Sequence, residues 1–435
     1  MKFENSKKLY EEACKVVAGG ISSQIRINEP GSTPLFFSKS KGSKLWDVDG
    51  NEYIDYIQGM GPNIFGHAPD FIIDSVKKDM EKGFIFAGQF KKEIEVAKMA
   101  LEMIPMKNAT VRFASSGTEI DQLAIRLMRG YTGRNKFIKF EGHYHGWTDS
   151  ISYSVHPDMN KSGDILSPLP VPESYGIDKN TSKSIAICGW NDLSLLEKTF
   201  EDNKNQIAGV IMEPILANTN CIYPEKGYLQ GVKEICKKND ALLCFDEVIT
   251  GFRIAQGGAQ EVTGVIPDLA TYAKSMAGGF PIAMLVGKKE IMNSIGSGKV
   301  YHGGSFNSNV MSISAAEASL KYLKSSDGEV YKKMNKIGNL LIEELNQITK
   351  SSNPDLHIQG NGSLFAISFT TKEKIIDWRD HKINCNEEKY KSFTNEMINH
   401  GIRLSSNGRM HISSAHTEDD ISKTVEATKL SLRNI

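Results

Sequence analysis

Residues 241–281, ALLCFDEVITGFRIAQGGAQEVTGVIPDLATYAKSMAGGFP, decide the fold of this chain. An apolar run at residues 241–245 ends in Asp246, and a second apolar run, at residues 269–273, ends in Lys274. Both runs are typical of buried strands that are followed directly by an ionisable side chain. Because ligands of open α/β sheets lie beyond the carboxyl ends of parallel strands, we expect Asp246 and Lys274 to share one cleft.

An acid and an amine in one cleft are the two groups that pyridoxal 5′-phosphate requires of its protein. The lysine amine forms a Schiff base with the cofactor, and the carboxylate keeps the pyridine nitrogen protonated so that the ring can draw in electrons. A structural ion pair at a sheet edge would place the same two residue types together, because ion-pair networks also gather opposite charges. Taken alone, Asp246 and Lys274 leave both interpretations open.

Phosphate binding is predicted at Ser116, Gly117 and Thr118. A short strand at residues 111–114 is followed by SSGTE, in which Ser116 and Glu119 match the S-x-x-E capping box of a helix start. Free backbone N–H groups, the positive end of the helix dipole and nearby hydroxyls would then surround an anion. A well-capped helix without a ligand is the alternative, since capping boxes are common.

The helix that follows this turn has apolar residues at helical spacing, and Gly130 is expected to end it. The next predicted strand, at residues 136–140, ends in EGHYHGW. There Tyr144 would stack on a flat cofactor ring and His145 would line the site, although an aromatic loop over the core would have the same sequence. Further on, Ser305 is a hydroxyl beside glycines, which makes it a second phosphate contact or part of a helix N-cap region.

Alternation of strands and helices predicts a largely parallel, three-layer α/β domain. A chain of 435 residues exceeds one ordinary core, so more than one domain is expected. We place a large cofactor-binding domain at residues 61–325. The N-terminal segment, residues 1–60, and the C-terminal part, residues 326–435, are assigned to a smaller α+β domain.

Composition excludes several classes of partner. The formal net charge is zero, which argues against nucleic acid or an anionic membrane as a main partner. Six scattered cysteines without a C-x-x-C pair favour reduced thiols in the cytoplasm, rather than a disulfide scaffold or a metal site. The sequence shows neither a signal peptide nor an apolar stretch of membrane-spanning length.

Taken together and in order, the motifs resemble those of the class III aminotransferases, which are fold-type-I enzymes that use pyridoxal 5′-phosphate. Within that family the glutamate-1-semialdehyde 2,1-aminomutase branch is the most similar. The resemblance covers about residues 19–417 and is carried by the following motifs: GGISSQIR, SSGTE, AIRLMRGYTGRNKFIKFEGHYHG, AGVIMEP, FDEVITGFR, GGAQEVTGVIPDLATYAKSMAGG and SSAHT. It implies a mostly parallel seven-stranded sheet between helices, plus a smaller α+β domain.

The resemblance also assigns roles to individual residues. Lys274 would be the Schiff-base lysine, and Asp246 would pair with the pyridine nitrogen. Val248 would pack under the ring opposite Tyr144, and residues 116–118 would take the phosphate. Lys274, Asp246 and Tyr144 are thus the expected catalytic residues.

Two more implied roles concern the substrate and a second subunit. Ser305, where the family usually has threonine, would reach the phosphate of the neighbouring subunit, so the protein would be a homodimer with shared active sites. Arg26 would bind the carboxylate of the substrate, because a planar guanidinium holds a carboxylate through two hydrogen bonds. On local sequence alone, the pattern favours an exposed loop arginine at position 26 over a substrate-binding one.

Three departures from the family pattern bear on the substrate. Asp121 stands where the family has a small or uncharged residue, and NSNV at residues 307–310 replaces S-G-N-P. The segment before SSAHT is shorter by about two residues, lacks a glutamate and carries Arg409. A lost carboxylate and a gained guanidinium change which charged group a site accepts, so Arg409 is a second candidate for substrate binding.

The sequence therefore predicts an enzyme that transfers an amino group between small carboxylate-bearing amino and oxo acids. The departures favour transfer between two molecules over the alternative, an aminomutase that shifts the amino group of glutamate 1-semialdehyde to give 5-aminolevulinate. A dinucleotide-dependent oxidoreductase would require G-x-G-x-x-G after the first strand, which is absent. A non-catalytic protein on the same fold is the other rival, and the presence of Lys274 and Asp246 argues against it.

Overall fold

The computed structural model describes residues 1–26 and 34–435, which form two compact units. The larger unit comprises Phe71–Glu329 and Ile376–Lys382. The smaller unit is assembled from three segments: Met1–Asp70, Val330–Ile375 and Ile383–Ile435. The boundaries predicted from the sequence, after residues 60 and 325, lie ten and four residues before those of the structure, and residues 376–382 belong to the larger unit instead of the predicted smaller domain.

Fourteen β-strands lie in the described residues: β1 (Phe37–Lys41), β2 (Lys44–Asp47), β3 (Glu52–Asp55), β4 (Ala109–Ala114), β5 (Lys136–Phe140), β6 (Ile185–Cys188), β7 (Ile207–Met212), β8 (Leu242–Asp246), β9 (Leu269–Tyr272), β10 (Ala283–Lys288), β11 (Leu356–Asn361), β12 (Leu364–Phe369), β13 (Ile402–Arg403) and β14 (Arg409–His411).

The same residues contain thirteen α-helices: α1 (Glu4–Val16), α2 (Asp70–Met80), α3 (Lys91–Met103), α4 (Gly117–Thr132), α5 (Leu193–Asp202), α6 (Tyr228–Lys238), α7 (Gly258–Thr263), α8 (Lys289–Gly296), α9 (Val310–Ser325), α10 (Glu329–Ser351), α11 (Trp378–Asn384), α12 (Glu387–Asn399) and α13 (Glu418–Ser431). Short 3₁₀ turns lie between some of them, including Lys274–Ala277 directly after β9.

The larger unit is built on a seven-stranded sheet with the strand order β4-β10-β9-β8-β7-β5-β6. Strands β5 to β9 pair in parallel, whereas β10 runs antiparallel to both β4 and β9. This arrangement confirms the predicted mostly parallel, seven-stranded sheet. Every residue of β7 and β8 is buried, as continuous apolar runs in a parallel sheet covered on both faces require.

Helix α4 covers one face of this sheet and carries the predicted capping box at its start. Its buried stripe includes Ile120, Leu123 and Leu127, which pack into the core of the larger unit. The helix does not end at Gly130, as predicted, but continues to Thr132 and stops at Gly133, whose φ is 71°. Gly130 is needed for packing instead, because a Cβ there would approach Val300 Cγ2 to 2.5 Å.

The smaller unit contains two sheets. Strands β1, β2 and β3 form an antiparallel meander, and β13 joins β3 in parallel. Strands β11, β12 and β14 form a second, antiparallel sheet. Beside β3, the buried Asp55 carboxylate contacts His67 Nε2 at 2.8 Å and accepts a hydrogen bond from Arg403 Nη1 at 3.1 Å. These contacts join chain segments from both ends of the sequence into one unit.

In the part of the chain that the structure describes, none of the helices combines the length and apolarity that a membrane crossing would need.

Candidate active site

A cavity of about 170 Å³ lies in the larger unit, at the carboxyl ends of β8 and β9. Because these two strands are parallel neighbours, the residues that follow them reach the same space. The residues of the predicted site that line the cavity are Gly117, Thr118, Tyr144, His145, Asp246, Val248 and Lys274. The structure thus brings together the strand-end acid, the strand-end amine and the turn at the start of α4.

Asp246, the last residue of β8, is buried and held from two sides. Its Oδ2 lies 2.6 Å from His145 Nδ1, and its Oδ1 accepts a hydrogen bond from the Val248 backbone N–H at 2.9 Å. A carboxylate can only accept, so we place a proton on His145 Nδ1. The other ring nitrogen, His145 Nε2, is buried and makes no hydrogen bond to the described residues. Asp246 is therefore held in one orientation at the cavity.

Lys274 begins the 3₁₀ turn that follows β9 and is partly exposed, whereas Ala273 and Ser275 on either side are buried. Its φ is 40°, in the left-handed region that residues other than glycine rarely adopt. Such backbone conformations cluster at active sites, where surrounding structure maintains them. In this chain the turn directs the lysine side chain to the cavity beside Asp246.

The start of α4, where phosphate binding is predicted, lies at the same cavity. Ser116 Oγ accepts a hydrogen bond from the Glu119 backbone N–H, and Glu119 Oε2 accepts one from the Ser116 N–H at 3.0 Å. The first N–H groups of a helix have no partner within the helix and suit a phosphate. A Cβ at Gly117 would lie 3.3 Å from Val248 Cγ1, a tight contact that would require Val248 to shift by a few tenths of an ångström.

The loop after β5 crosses directly over this helix start. Gly146 has a φ of 104°, and a Cβ on it would lie 2.6 Å from Thr118 Oγ1. The loop is fixed by Glu213, a buried residue after β7 that accepts hydrogen bonds from the Tyr144 N–H at 2.8 Å and from Asn218 Nδ2 at 2.9 Å. Burial raises the pKa of the Glu213 carboxyl. Sequence reasoning gave Glu213 no role. Glu213 follows directly after β7, however, and a position at the end of an apolar strand was the signal that identified Asp246.

A buried ion pair anchors the beginning of the same loop. Arg379 donates to Glu141 Oε2 from Nε at 2.8 Å and to Oε1 from Nη2 at 2.9 Å. Arg379 also donates to the carbonyl groups of Gly163 and Ser162. Residue 379 is thereby tied both to the loop that carries Tyr144 and to the long connection that follows it. No local sequence signal marks this pair, because its members are far apart in the chain.

Asp121 is a further buried carboxyl group at the cavity, which Asp246 and Glu213 also line. Its Oδ1 accepts a hydrogen bond from Thr271 Oγ1 at 2.6 Å. Single ligand atoms of Asp121, His145 and Asp246 all lie within 4.8 Å of one another, a spacing that a metal ion could also use. Sequence reasoning recorded Asp121 as a departure from the family but did not place it in the site.

The remaining predicted residues do not line this cavity, and among them Ser116 is exposed and caps the start of α4. Ser305 is exposed in the loop before α9. Arg26 is an exposed residue of the smaller unit, at the end of a 3₁₀ turn, and Arg409 is a buried residue of the same unit at the start of β14. Their assigned roles stay predictions.

Comparison with known proteins identifies a family. The family model "Aminotransferase class-III" matches residues 27–428. Among curated proteins, the chain is 39% identical to a glutamate-1-semialdehyde 2,1-aminomutase of Methanosphaera stadtmanae over the full length of both chains. A protein of the same name from Methanocaldococcus jannaschii is also 39% identical, over 98% of this chain and 97% of that protein.

Solved structures give the same fold. An omega-transaminase from Sphaerobacter thermophilus superposes with a TM-score of 0.91 at 26% identity, over 98% of this chain and 97% of that one. A transaminase with pyridoxal phosphate bound gives a TM-score of 0.88 at 25% identity, over 100% and 98% of the two chains.

The residues at the cavity fit pyridoxal 5′-phosphate on three observations. A buried carboxylate with fixed orientation, a lysine at the end of the neighbouring strand and a glycine-containing helix start all face one space. In that order, they would serve as a partner for a protonated ring nitrogen, an amine for the aldehyde and a cradle for the phosphate. Tyr144 and Val248 both line the space, as predicted for residues on either side of the ring.

Proposed function

Because the chain belongs to the class III aminotransferases and uses pyridoxal 5′-phosphate, we propose that it transfers an amino group between a carboxylate-bearing amino acid and an oxo acid, with the cavity of the larger unit as its active site. One observation carries the proposal: Asp246 and Lys274 follow adjacent parallel strands and line one cavity with the start of α4. An ion pair at a sheet edge would not require the helix start or Gly117 beside it.

Bound pyridoxal phosphate supplies a ring that withdraws electrons from the substrate carbon bearing the amino group. Lys274 would hold the cofactor and, once its amine is released, would accept and return a proton at that carbon as general base and acid. Asp246 would hold its negative charge against the ring nitrogen, in the orientation set by His145 and Val248. Residues 116–118 would bind the phosphate, and Tyr144 would cover the ring.

A second candidate function is supported by the relatives named glutamate-1-semialdehyde 2,1-aminomutase, which match the whole chain. Such an enzyme would move the amino group within one molecule. We favour transfer between two molecules, because the segment before SSAHT lacks the family's glutamate and carries Arg409. Robust conversion of glutamate 1-semialdehyde to 5-aminolevulinate without an added amino donor would reverse this preference.

We further propose a homodimer in which Ser305 reaches the partner's phosphate. Ser305 is exposed, and its loop lies beside the phosphate turn of its own chain, where Ser115 Oγ donates to Asn307 Oδ1 at 3.4 Å. Tyr301 and Phe306, in the same loop, are 76% and 64% exposed, which is unusual for aromatic side chains unless a partner covers them. Sedimentation of the cofactor-loaded protein as an active monomer would contradict the dimer.

We propose that the protein works in the cytoplasm on small molecules, without nucleic acid or membrane partners. Its zero formal net charge and scattered cysteines support this view.

Absorption spectroscopy and mass analysis test the active site. The purified protein should show a visible absorption band from the lysine-bound cofactor, and reduction with borohydride should fix the cofactor on Lys274. Lys274→Ala should abolish turnover and the band, whereas Lys289→Ala, at an exposed position on α8, should preserve both. A protein without the band, or with the cofactor on another lysine, would refute the assignment.

A further inference from the structure

Besides Asp246, the carboxyl groups of Asp121 and Glu213 line the cavity; Glu213 holds the loop that carries Tyr144, whereas Asp121 has no part in the proposed function. Asp121 on α4 is buried, lines the cavity and lies within 4.8 Å of both Asp246 and His145, measured between single ligand atoms. A neutral residue would be expected at this position if its only task were to fill space. A buried carboxyl therefore calls for a physical explanation.

Two ionised carboxylates at this separation in a buried site repel each other, so one of them is expected to retain a proton. Hydrogen bonds indicate which one it is. Asp246 faces donors on both of its oxygens, His145 Nδ1 and the Val248 N–H, which favours the ionised form. Asp121 accepts one hydrogen bond at Oδ1, from Thr271, and this leaves its Oδ2 as the place for a proton.

The electrostatic surroundings agree with this assignment. Burial raises the pKa of the Asp121 carboxyl well above its usual range, and the charge of Asp246 raises it further, against an opposing effect of the Thr271 hydrogen bond. The titratable groups around Asp121 come from all the strands and loops packed against it: Cys244, Asp246, Glu213, Tyr144, His145 and Lys274.

We propose that Asp121 and Asp246 share one proton, and that Asp121 is the neutral acid that donates a hydrogen bond to Asp246. Asp121 is then a positioning residue: Thr271 orients it, and it orients the carboxylate that would face the ring nitrogen. The pair delivers one negative charge to the ring instead of two. The catalytic meaning of the pair rests on the proposed function, whereas its protonation does not.

The pH dependence of stability tests the proposal on the full-length, cofactor-free protein. A carboxyl whose pKa is raised by folding contributes stability that is complete below the unfolded pKa, about 4, and is lost as the pH rises through the folded pKa. Asp121→Asn removes this titration but retains an acceptor for Thr271 and a donor for Asp246. The variant and the wild type should therefore unfold at similar urea concentrations at about pH 4, and the variant should become the more stable of the two as the pH rises to 8.

The expected difference is large enough to measure. Each pH unit between the unfolded and the folded pKa changes the ratio of the two unfolding equilibrium constants by up to about tenfold. Asp74→Asn, at an exposed position on α2, removes one charge outside the cavity and should not produce the difference. Infrared spectroscopy of the wild type should show the C=O band of a neutral carboxylic acid at pH 7, and this measurement does not depend on the folding of any variant.

Three results would overturn the proposal. The first is a difference in unfolding free energy between Asp121→Asn and the wild type that does not change with pH. The second is a variant that is less stable than the wild type at pH 8, and the third is the absence of the carboxylic acid band at pH 7. Stabilisation of the cofactor-free protein by micromolar zinc that is lost in Asp121→Asn would instead make the cluster a metal site and equally reject the shared proton. Failure of the Lys274 experiment would reject the proposed function alone, because the carboxyl pair is measured without cofactor.

Discussion

Replacement of Arg379 by methionine should destabilise the larger unit strongly. Arg379 makes two short hydrogen bonds to Glu141, and the two side chains are only 11% and 3% exposed. Removal of the arginine leaves a buried carboxylate without its counter-charge, which typically costs about 3–5 kcal/mol of unfolding free energy. Methionine replaces much of the apolar part of the arginine side chain. The loss of unfolding free energy therefore reflects mainly the missing charge and its hydrogen bonds.

A double variant separates the ion pair from the packing. Arg379→Met with Glu141→Leu removes both charges, and an apolar pair of similar volume often costs little, so most of the loss should be recovered. The double variant would still lack the hydrogen bonds to the Gly163 and Ser162 carbonyl groups, at about 1 kcal/mol each.

Urea unfolding followed by tryptophan fluorescence suits the measurement, because three of the four tryptophans, Trp147, Trp190 and Trp378, lie in the larger unit. Lys198→Met provides the control, since it breaks an exposed ion pair with Asp202 that should contribute less than about 1 kcal/mol. The reasoning fails if Arg379→Met costs no more than this control, or if the double variant is no more stable than the single one.

Three further predictions concern charge. Asp246→Asn should leave the fold intact but lower turnover by about 10²–10³-fold, as loss of one electrostatic stabiliser does, and steady-state kinetics on a folded variant will measure it. Burial lowers the pKa of Lys139 to about 8. The wild type should therefore gain stability relative to Lys139→Met as the pH rises from about 8 towards 10.5, because the unfolded chain then binds the extra proton. Thermal unfolding at several pH values will detect this gain. Arg26→Ala should weaken binding of a carboxylate-bearing amino acid by about 1.5–3 kcal/mol and of a simple amine far less, as substrate titrations will show; equal losses would exclude a carboxylate contact.

The residues that sequence reasoning placed in the cavity share one property: they follow a strand or begin a helix. Asp246 and Lys274 each terminate an apolar run, and Ser116 is part of a capping box, so short windows of sequence contain the signal. Parallel pairing then brings the strand ends together without further information from the sequence.

The features that sequence reasoning missed depend on pairs that are distant in the chain. Glu141 and Arg379 are separated by 238 residues, and Asp121 and Thr271 by 150. The local sequence around each member of such a pair carries no signal, because the role of the side chain depends on which group the fold places opposite it. Gly130 illustrates the same limit at short range: it looks like a helix stop, but its small size serves the contact with Val300.

Asp121 connects these two kinds of information. Its departure from the family pattern is visible in the sequence, where an added acid would suggest a different substrate charge. The structure places the acid near Asp246, and its Oδ1 accepts a hydrogen bond from the hydroxyl of Thr271. If Asp121 retains its proton, it adds no charge for a substrate to meet. The change at position 121 then acts on Asp246, the carboxylate that would face the ring nitrogen of the cofactor. Substrate selectivity would in that case have to arise elsewhere, for which Arg26 and Arg409 are the candidates that the sequence provides.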